Sequence, residues 1–282
     1  MTTDQISLSL DKGRSTVSYT AIGKALVTVA SGTLLLYLVI PLVVVMIRAI
    51  DAGLIEQLSQ PTVVQAIQLS LMTTAISVLL MAVLGTPLAY WLARGHVPAR
   101  PVIETLLDLP IVLPPAVAGI ALLMTFGRRG VLGPLLAQFG INLPFTTIAV
   151  VMAQVFVAAP FFIRSAQTGF ASVPREIEEG ASDLGADAWG VFRRVTFPLA
   201  GPALLSGVIL SGARALGEFG ATILFAGNFV GRTQTIPLAI YQTMESDLGA
   251  ALTVAAVLVL ISFGFLVILR LITRGRITHP LF

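Results

Sequence analysis

Six stretches of this sequence run for nearly twenty residues or longer with little or no charge, and nothing in it constrains the fold more. An α-helix needs roughly 20 apolar residues to cross the hydrocarbon core of a bilayer. The runs are 25–47, a longer one within 57–93, 109–127, the second half of 130–163 after Pro144, one starting near Val195, and 248–269. Soluble domains average roughly 25% charged residues. Here 11% of the 282 residues are charged and 56% are hydrophobic, too much apolar surface for one water-soluble core. The expected fold is an all-α polytopic membrane protein: a tail over residues 1–24, then six transmembrane helices over 25–282.

Lys and Arg collect in cytoplasmic loops, so their distribution orients the spans. With both termini inside, the inner segments hold 12 of the 17 basic residues, Arg164 among them, and the outer segments hold 4: Arg48, Arg128, Arg129 and Arg232. Arg214 falls within a span. Both termini are therefore expected in the cytoplasm. The first apolar run follows about two dozen polar residues and is too long for the core of a secretory signal.

Composition excludes several chemistries. There is no Cys, so there is no disulfide and no thiolate. A P-loop needs Lys followed by Ser or Thr after a glycine-rich turn. The only lysines, Lys12 and Lys24, precede Gly13 and Ala25. His96 and His279 are too few and too far apart for a helical zinc pair. The net charge of +3 follows from the loop bias and gives no reason to invoke nucleic acid.

One polar island interrupts the apolar pattern: "VPREIEEGASDLGADAWGVFRRVTFPL", residues 173–199, with eight charges. Pro174 suits a first helical turn, and Glu176, Glu178 and Glu179 suit the positive end of the helix dipole. Ile177, Ala181 and Leu184 share one face. Gly185 fits a left-handed helix stop, and Asp187 a cap on a second short helix carrying Trp189 and Phe192. Pro198 then opens the next span. Helix, glycine bend and helix together read either as a solvated loop or as a plug for a groove in a partner protein.

Glu179-Gly180-Ala181, three residues, Gly185, nine residues, then Val195-Thr196-Phe197-Pro198 resembles the "EAA" motif of binding-protein-dependent ABC importer permeases. Gly180 stands where the motif has its first alanine, and Val and Phe replace Ile and Leu. The segments "LDLPIVLPPAVAGIALL" (107–123) and "ARALGEFGATILFAGNFVGRTQTIPLAIY" (213–241) resemble the molybdate branch, with tungstate and sulfate permeases as near relatives.

The resemblance implies a type I importer permease in a bacterial or archaeal inner membrane. It makes the loop at about 171–197 a coupling helix, with Glu178, Glu179, Gly180, Ala181, Leu184, Gly185, Trp189 and Pro198 as coupling residues. The implied partners are two ABC ATPase subunits, which bind the ATP and Mg, a periplasmic or lipid-anchored oxyanion-binding protein, and a second permease copy. This chain itself is expected to hold no cofactor and to catalyse no reaction.

The spans carry further signals. Ala203, Gly207, Ser211 and Ala215 recur every fourth residue, a spacing that lets helices approach closely in lipid, within the chain or across a subunit interface. Arg214 and Glu218 stand one turn apart; charges inside a membrane usually face a bundle interior or a cavity. They read as a self-cancelling ion pair or as part of an anion route. Pro110, Pro114 and Pro115 interrupt the third run, a packing kink or a bent gate. Arg128, Arg129 and Arg232 are candidate docking residues for the binding protein on the outer side. Glu104 and Asp108 read as interfacial.

Two function classes remain open. One is a non-catalytic importer permease driven by a separate ATPase. The other is an ion-gradient-driven anion transporter, with Glu218 or Asp108 carrying the proton; such a transporter has no need of an ATPase-docking helix pair.

Overall fold

The computed structural model describes residues 21–274, and every regular element among them is helical. The helices are α1 (Ala21–Asp51), α2 (Leu54–Leu58), α3 (Pro61–Arg94), α4 (Arg100–Val112), α5 (Pro115–Phe126), α6 (Gly133–Gln138), α7 (Thr147–Ala171), α8 (Arg175–Asp183), α9 (Ala188–Val191), α10 (Phe197–Leu216), α11 (Gly220–Phe225), α12 (Ile236–Thr243) and α13 (Leu248–Arg274). A π-helical segment, Phe192–Thr196, joins α9 to α10. The expected tail lies outside the described residues as far as residue 20, as does the chain beyond 274.

Two units can be distinguished. The first, up to Val45, contains most of α1, whose large apolar side chains from Leu26 to Val44 are mostly exposed, as lipid-facing residues would be. The second, from Met46, holds the other helices. Among the described residues five helices are long and apolar enough to cross a membrane: Gly23–Asp51, Pro61–Arg94, Thr147–Ala171, Ala188–Leu216 and Leu248–Ile268. The remaining apolar run is a bent helix pair, a broken span or a re-entrant loop. α4 and α5 pass the test only as a pair, and they meet at 114°. Leu113 and Pro114 at the break have extended backbone, and Pro114 disfavours helix at the residue before it.

Small residues set the packing of the second unit. A Cβ on Gly85 of α3 would lie 2.7 Å from the Phe162 ring of α7, and one on Gly207 of α10 would lie 3.1 Å from that same ring. Ser165 Oγ donates to the Ala203 carbonyl at 2.7 Å. The four-residue stripe on α10 thus serves packing inside the chain, against α7. Around Phe162 sits an apolar core drawn from α3, α7 and α10, with Leu92, Phe170 and Leu204.

Several buried polar groups find partners on neighbouring helices, where lipid offers none. Ser77 Oγ donates to Gln154 Oε1 at 2.9 Å across α3 and α7, and the Ile236 N–H at the start of α12 donates to Ser70 Oγ at 2.7 Å.

Two boundaries differ from the sequence reading. The fifth span begins at Ala188 rather than near Val195, because α9, the π segment and α10 form one continuous rod. Pro198 does not open a separate helix. Its missing N–H and its ring disrupt the α-helical ladder one turn back, and the π turn absorbs that: the Phe197 N–H donates to the Phe192 carbonyl. Arg164 is not in a loop but inside α7, where it meets acids of α4.

Candidate functional site

The polar island folds where α3 and α7 end and the rod to α10 begins. Helix α8 starts directly after Pro174, with Glu176 and Glu178 in its first turn. It ends in a Schellman motif. Gly185 has φ +90°, its N–H donates to the Ser182 carbonyl at 2.9 Å, and the Ala186 N–H donates to the Ala181 carbonyl at 3.1 Å. The bend read at Gly185 and the cap read at Asp187 are both present: the Gly190 N–H donates to Asp187 Oδ1 at 3.0 Å.

Most predicted coupling residues lie on the outer face of this loop. Leu184 is 91% exposed, Ile177 is 47% exposed, and Glu179 is exposed. Space around Gly180 and Gly185 is open, and Ala181 is half-buried. Two residues depart from that face. Trp189 stacks on Phe192, with ring centroids 5.5 Å apart, beside an apolar cavity of about 730 Å³ that Val83 and Tyr90 of α3 also line. Glu178 turns inward: its carboxylate lies 3.3 Å from Arg94 Nη2 and accepts from Thr196 Oγ1 at 2.6 Å. Sequence reasoning missed Arg94 altogether, since no local pattern links the end of α3 to α8.

The pathway candidates gather on neighbouring elements. A Cβ on Gly220 would lie 2.7 Å from Pro115 Cβ, and one on Gly119 would lie 2.9 Å from Leu224 Cβ, so α5 and α11 pack closely. Glu218 is 1% exposed. It is not inside the fifth span, which ends at Leu216; it occupies the break before α11. There it does two jobs. Its Oε2 lies 2.8 Å from Arg214 Nη2, and its Oε1 accepts from the Ala221 N–H at 2.8 Å. The ion pair read from spacing is present, and the pair also caps a half-helix that the sequence reading did not anticipate.

The arginines expected on the outer side stand at the opposite end of α7 from the polar island. Arg128, Arg129 and Arg232 are exposed. Phe126, just before the first two, contacts the Phe225 ring, and the Phe145 N–H donates to the Phe225 carbonyl. Nearby, Thr147 Oγ1 donates to the Arg232 carbonyl at 2.9 Å. Glu104 and Asp108, read as interfacial, are held by side chains of α7. Arg164 holds Asp108 with two hydrogen bonds, and Gln167 Nε2 donates to Glu104 at 2.7 Å. Both carboxylates offered as proton carriers, Asp108 and Glu218, are thus engaged by an arginine. Among the described residues no cluster of His, Asp or Glu is placed to hold a metal ion.

The sequence pattern of one family, described as binding-protein-dependent transport system inner membrane components, matches residues 85–277, which is most of the chain and all of the site above. The chain belongs to this family. Such permeases are non-catalytic membrane components, and the chain is one. It is 40% identical over 228 residues to the molybdenum transport system permease protein ModB of Mycobacterium tuberculosis, an alignment covering 81% of this chain and 86% of that one. It is 37% identical over 226 residues to the sulfate transport system permease protein CysW of Synechococcus elongatus, covering 77% and 79%. The fold resembles that of a bacterial alginate ABC transporter crystallised with a pentasaccharide-bound periplasmic protein. There the TM-score is 0.67 at 16% identity, covering 88% of this chain and 91% of the other.

Proposed function

We propose that this permease forms half of the translocation pathway of an ATP-driven importer for a tetrahedral oxyanion, molybdate in the first place, with tungstate or sulfate as alternatives. The observation that carries the reading is the α8 loop. It presents an exposed apolar face, Ile177 and Leu184, closed by a glycine turn, at the end of the bundle expected in the cytoplasm. Apolar helix faces of this kind seat in grooves of partner proteins. The similarity to molybdenum and sulfate permeases supports the anion class.

In this reading two ATPase subunits bind ATP and Mg and receive one α8 loop from each of two permease copies. Their closure moves the loops, and the spans alternate between outward and inward access. A binding protein delivers the anion at the opposite end, where Arg128, Arg129 and Arg232 supply positive potential that attracts an acidic partner or the anion itself. Arg214 and Glu218 stand just before α11, whose first residue Gly220 packs on Pro115, and are pathway candidates together with Pro114 and Pro115; pairing with Arg214 keeps a carboxylate there from repelling a dianion.

The test is uptake in proteoliposomes holding the permease, its ATPase and the binding protein. Molybdate should accumulate only with ATP on the α8 side, and collapsing the proton gradient should leave the rate unchanged. Uptake driven by a proton gradient without ATP would overturn the proposal.

A further inference from the structure

Helix α8 is attached to the rest of the chain at very few points. Of its nine residues, only Glu178 and Ala181 are partly buried, and of these two only Glu178 has a polar side chain. Its carboxylate spans two other elements. One oxygen lies 3.3 Å from Arg94 Nη2, at the last residue of α3. The other accepts from Thr196 Oγ1 at 2.6 Å, at the last residue of the π segment. Arg94 also donates from Nη2 to the Val173 carbonyl at 2.5 Å, just before α8 starts. The side chains of Arg94 and Glu178 are 13% and 17% exposed, and Thr196 is fully buried.

We infer that Arg94, Glu178 and Thr196 are transmission residues: a three-point latch through which movement of α8 enters the second and fifth spans together. This rests on the importer reading above and reassigns Glu178 from docking the ATPase to passing its motion on. Buried charge pairs resist separation, because removing one partner leaves the other desolvated and uncompensated. A displaced α8 therefore drags Arg94 with it, and with Arg94 the end of α3. Through Thr196 it also pulls on the π turn. Such turns are rare and occur often at functional sites. The exposed face of α8 makes contact with the ATPase, and the latch carries the work inward.

The two roles separate experimentally. Glu178→Gln keeps an acceptor for Thr196 but loses the charge facing Arg94. Thr196→Val removes one donor at nearly constant volume. Both variants should reach the membrane at wild-type abundance and co-purify with the ATPase as well as wild type does. Molybdate taken up per ATP hydrolysed should fall by about tenfold, inside the usual range for coupling between sites. Thr196→Ser should behave as wild type. The charge exchange Arg94→Glu with Glu178→Arg should recover part of the ratio lost in Arg94→Glu alone. An unchanged ratio in Glu178→Gln and Thr196→Val would overturn the latch, as would loss of ATPase binding in either, which would make these residues part of the docking surface. Loss of folded permease in both would reduce the contact to a structural one and overturn it equally. Failure of the importer reading looks different: wild-type uptake would then not require ATP at all.

Discussion

Arg164 donates to both carboxylate oxygens of Asp108, Nε to Oδ1 at 2.9 Å and Nη2 to Oδ2 at 2.5 Å, and so ties α7 to α4. Bidentate pairs of this kind fix geometry as well as charge. The same guanidinium reaches Glu104 at 3.6 Å, which is itself bonded to Arg100 at 2.8 Å. The network anchors the half-helix before the 114° break.

Asp108→Asn should therefore act as a structural change. Removing the charge should cost roughly 1–2 kcal/mol, less than a fully buried pair because both side chains keep about a third or more of their surface open. Thermal unfolding of the purified permease measures this. Uptake should remain ATP-dependent and indifferent to the proton gradient. A variant of normal stability whose uptake had lost a former proton dependence would instead mark Asp108 as a carrier.

Glu218 separates two contributions in one side chain. Glu218→Gln keeps an oxygen to accept from the Ala221 N–H but cancels the charge beside Arg214; Glu218→Ala removes both. Losing a helix cap costs about 1 kcal/mol, so the alanine variant should be less stable than the glutamine variant by about that amount. Uptake should fall in both, since both leave Arg214 as an unbalanced charge. Equal unfolding temperatures for the two variants would mean that the bond to Ala221 contributes nothing.

The contact between α3 and α7 depends on Gly85, where an added Cβ would come within 2.7 Å of the Phe162 ring. Gly85→Leu should overpack this contact and cost about 1–3 kcal/mol. Gly201→Ala, with open space around its Cβ, should be neutral or slightly stabilising, since alanine favours the helix. Membrane abundance and unfolding temperature of the two variants test the difference; similar losses in both would contradict the packing account.

These sites show what could be read from the chain directly. Charge-free runs located the five long apolar helices and the bent pair, although not where the rod from Ala188 begins, because exposure to lipid leaves a mark along a whole helix. The turn at Gly185 and the cap at Asp187 were legible because both are local backbone chemistry. The pair Arg214 and Glu218 was legible from a four-residue spacing, although the helix stops between them. Contacts between distant segments were not legible. Nothing near Arg94 marks it as the partner of Glu178, and Arg164 looked like one more cytoplasmic charge until α7 placed it against α4. The short helices α11 and α12 also escaped, since six or eight residues hold too little periodicity to stand out. Paired prolines signalled a break at 114–115, but neither the 114° angle between α4 and α5 nor the close packing of α5 on α11 could be read from the sequence.

If the α8 loop joins this permease to a separate ATPase, that ATPase should co-purify with the wild-type chain and not with variants of the loop. Ala181→Trp places a bulky ring on the docking face. Gly185→Val forces a β-branched residue into a backbone with φ +90°, which glycine adopts without a Cβ penalty. Neither touches a span, so both variants should insert at normal abundance. Both should lose the ATPase on purification and lose binding-protein-stimulated ATP hydrolysis in proteoliposomes. Full ATPase retention and full stimulated hydrolysis in both variants would contradict this coupling and leave the loop a solvated connection between spans.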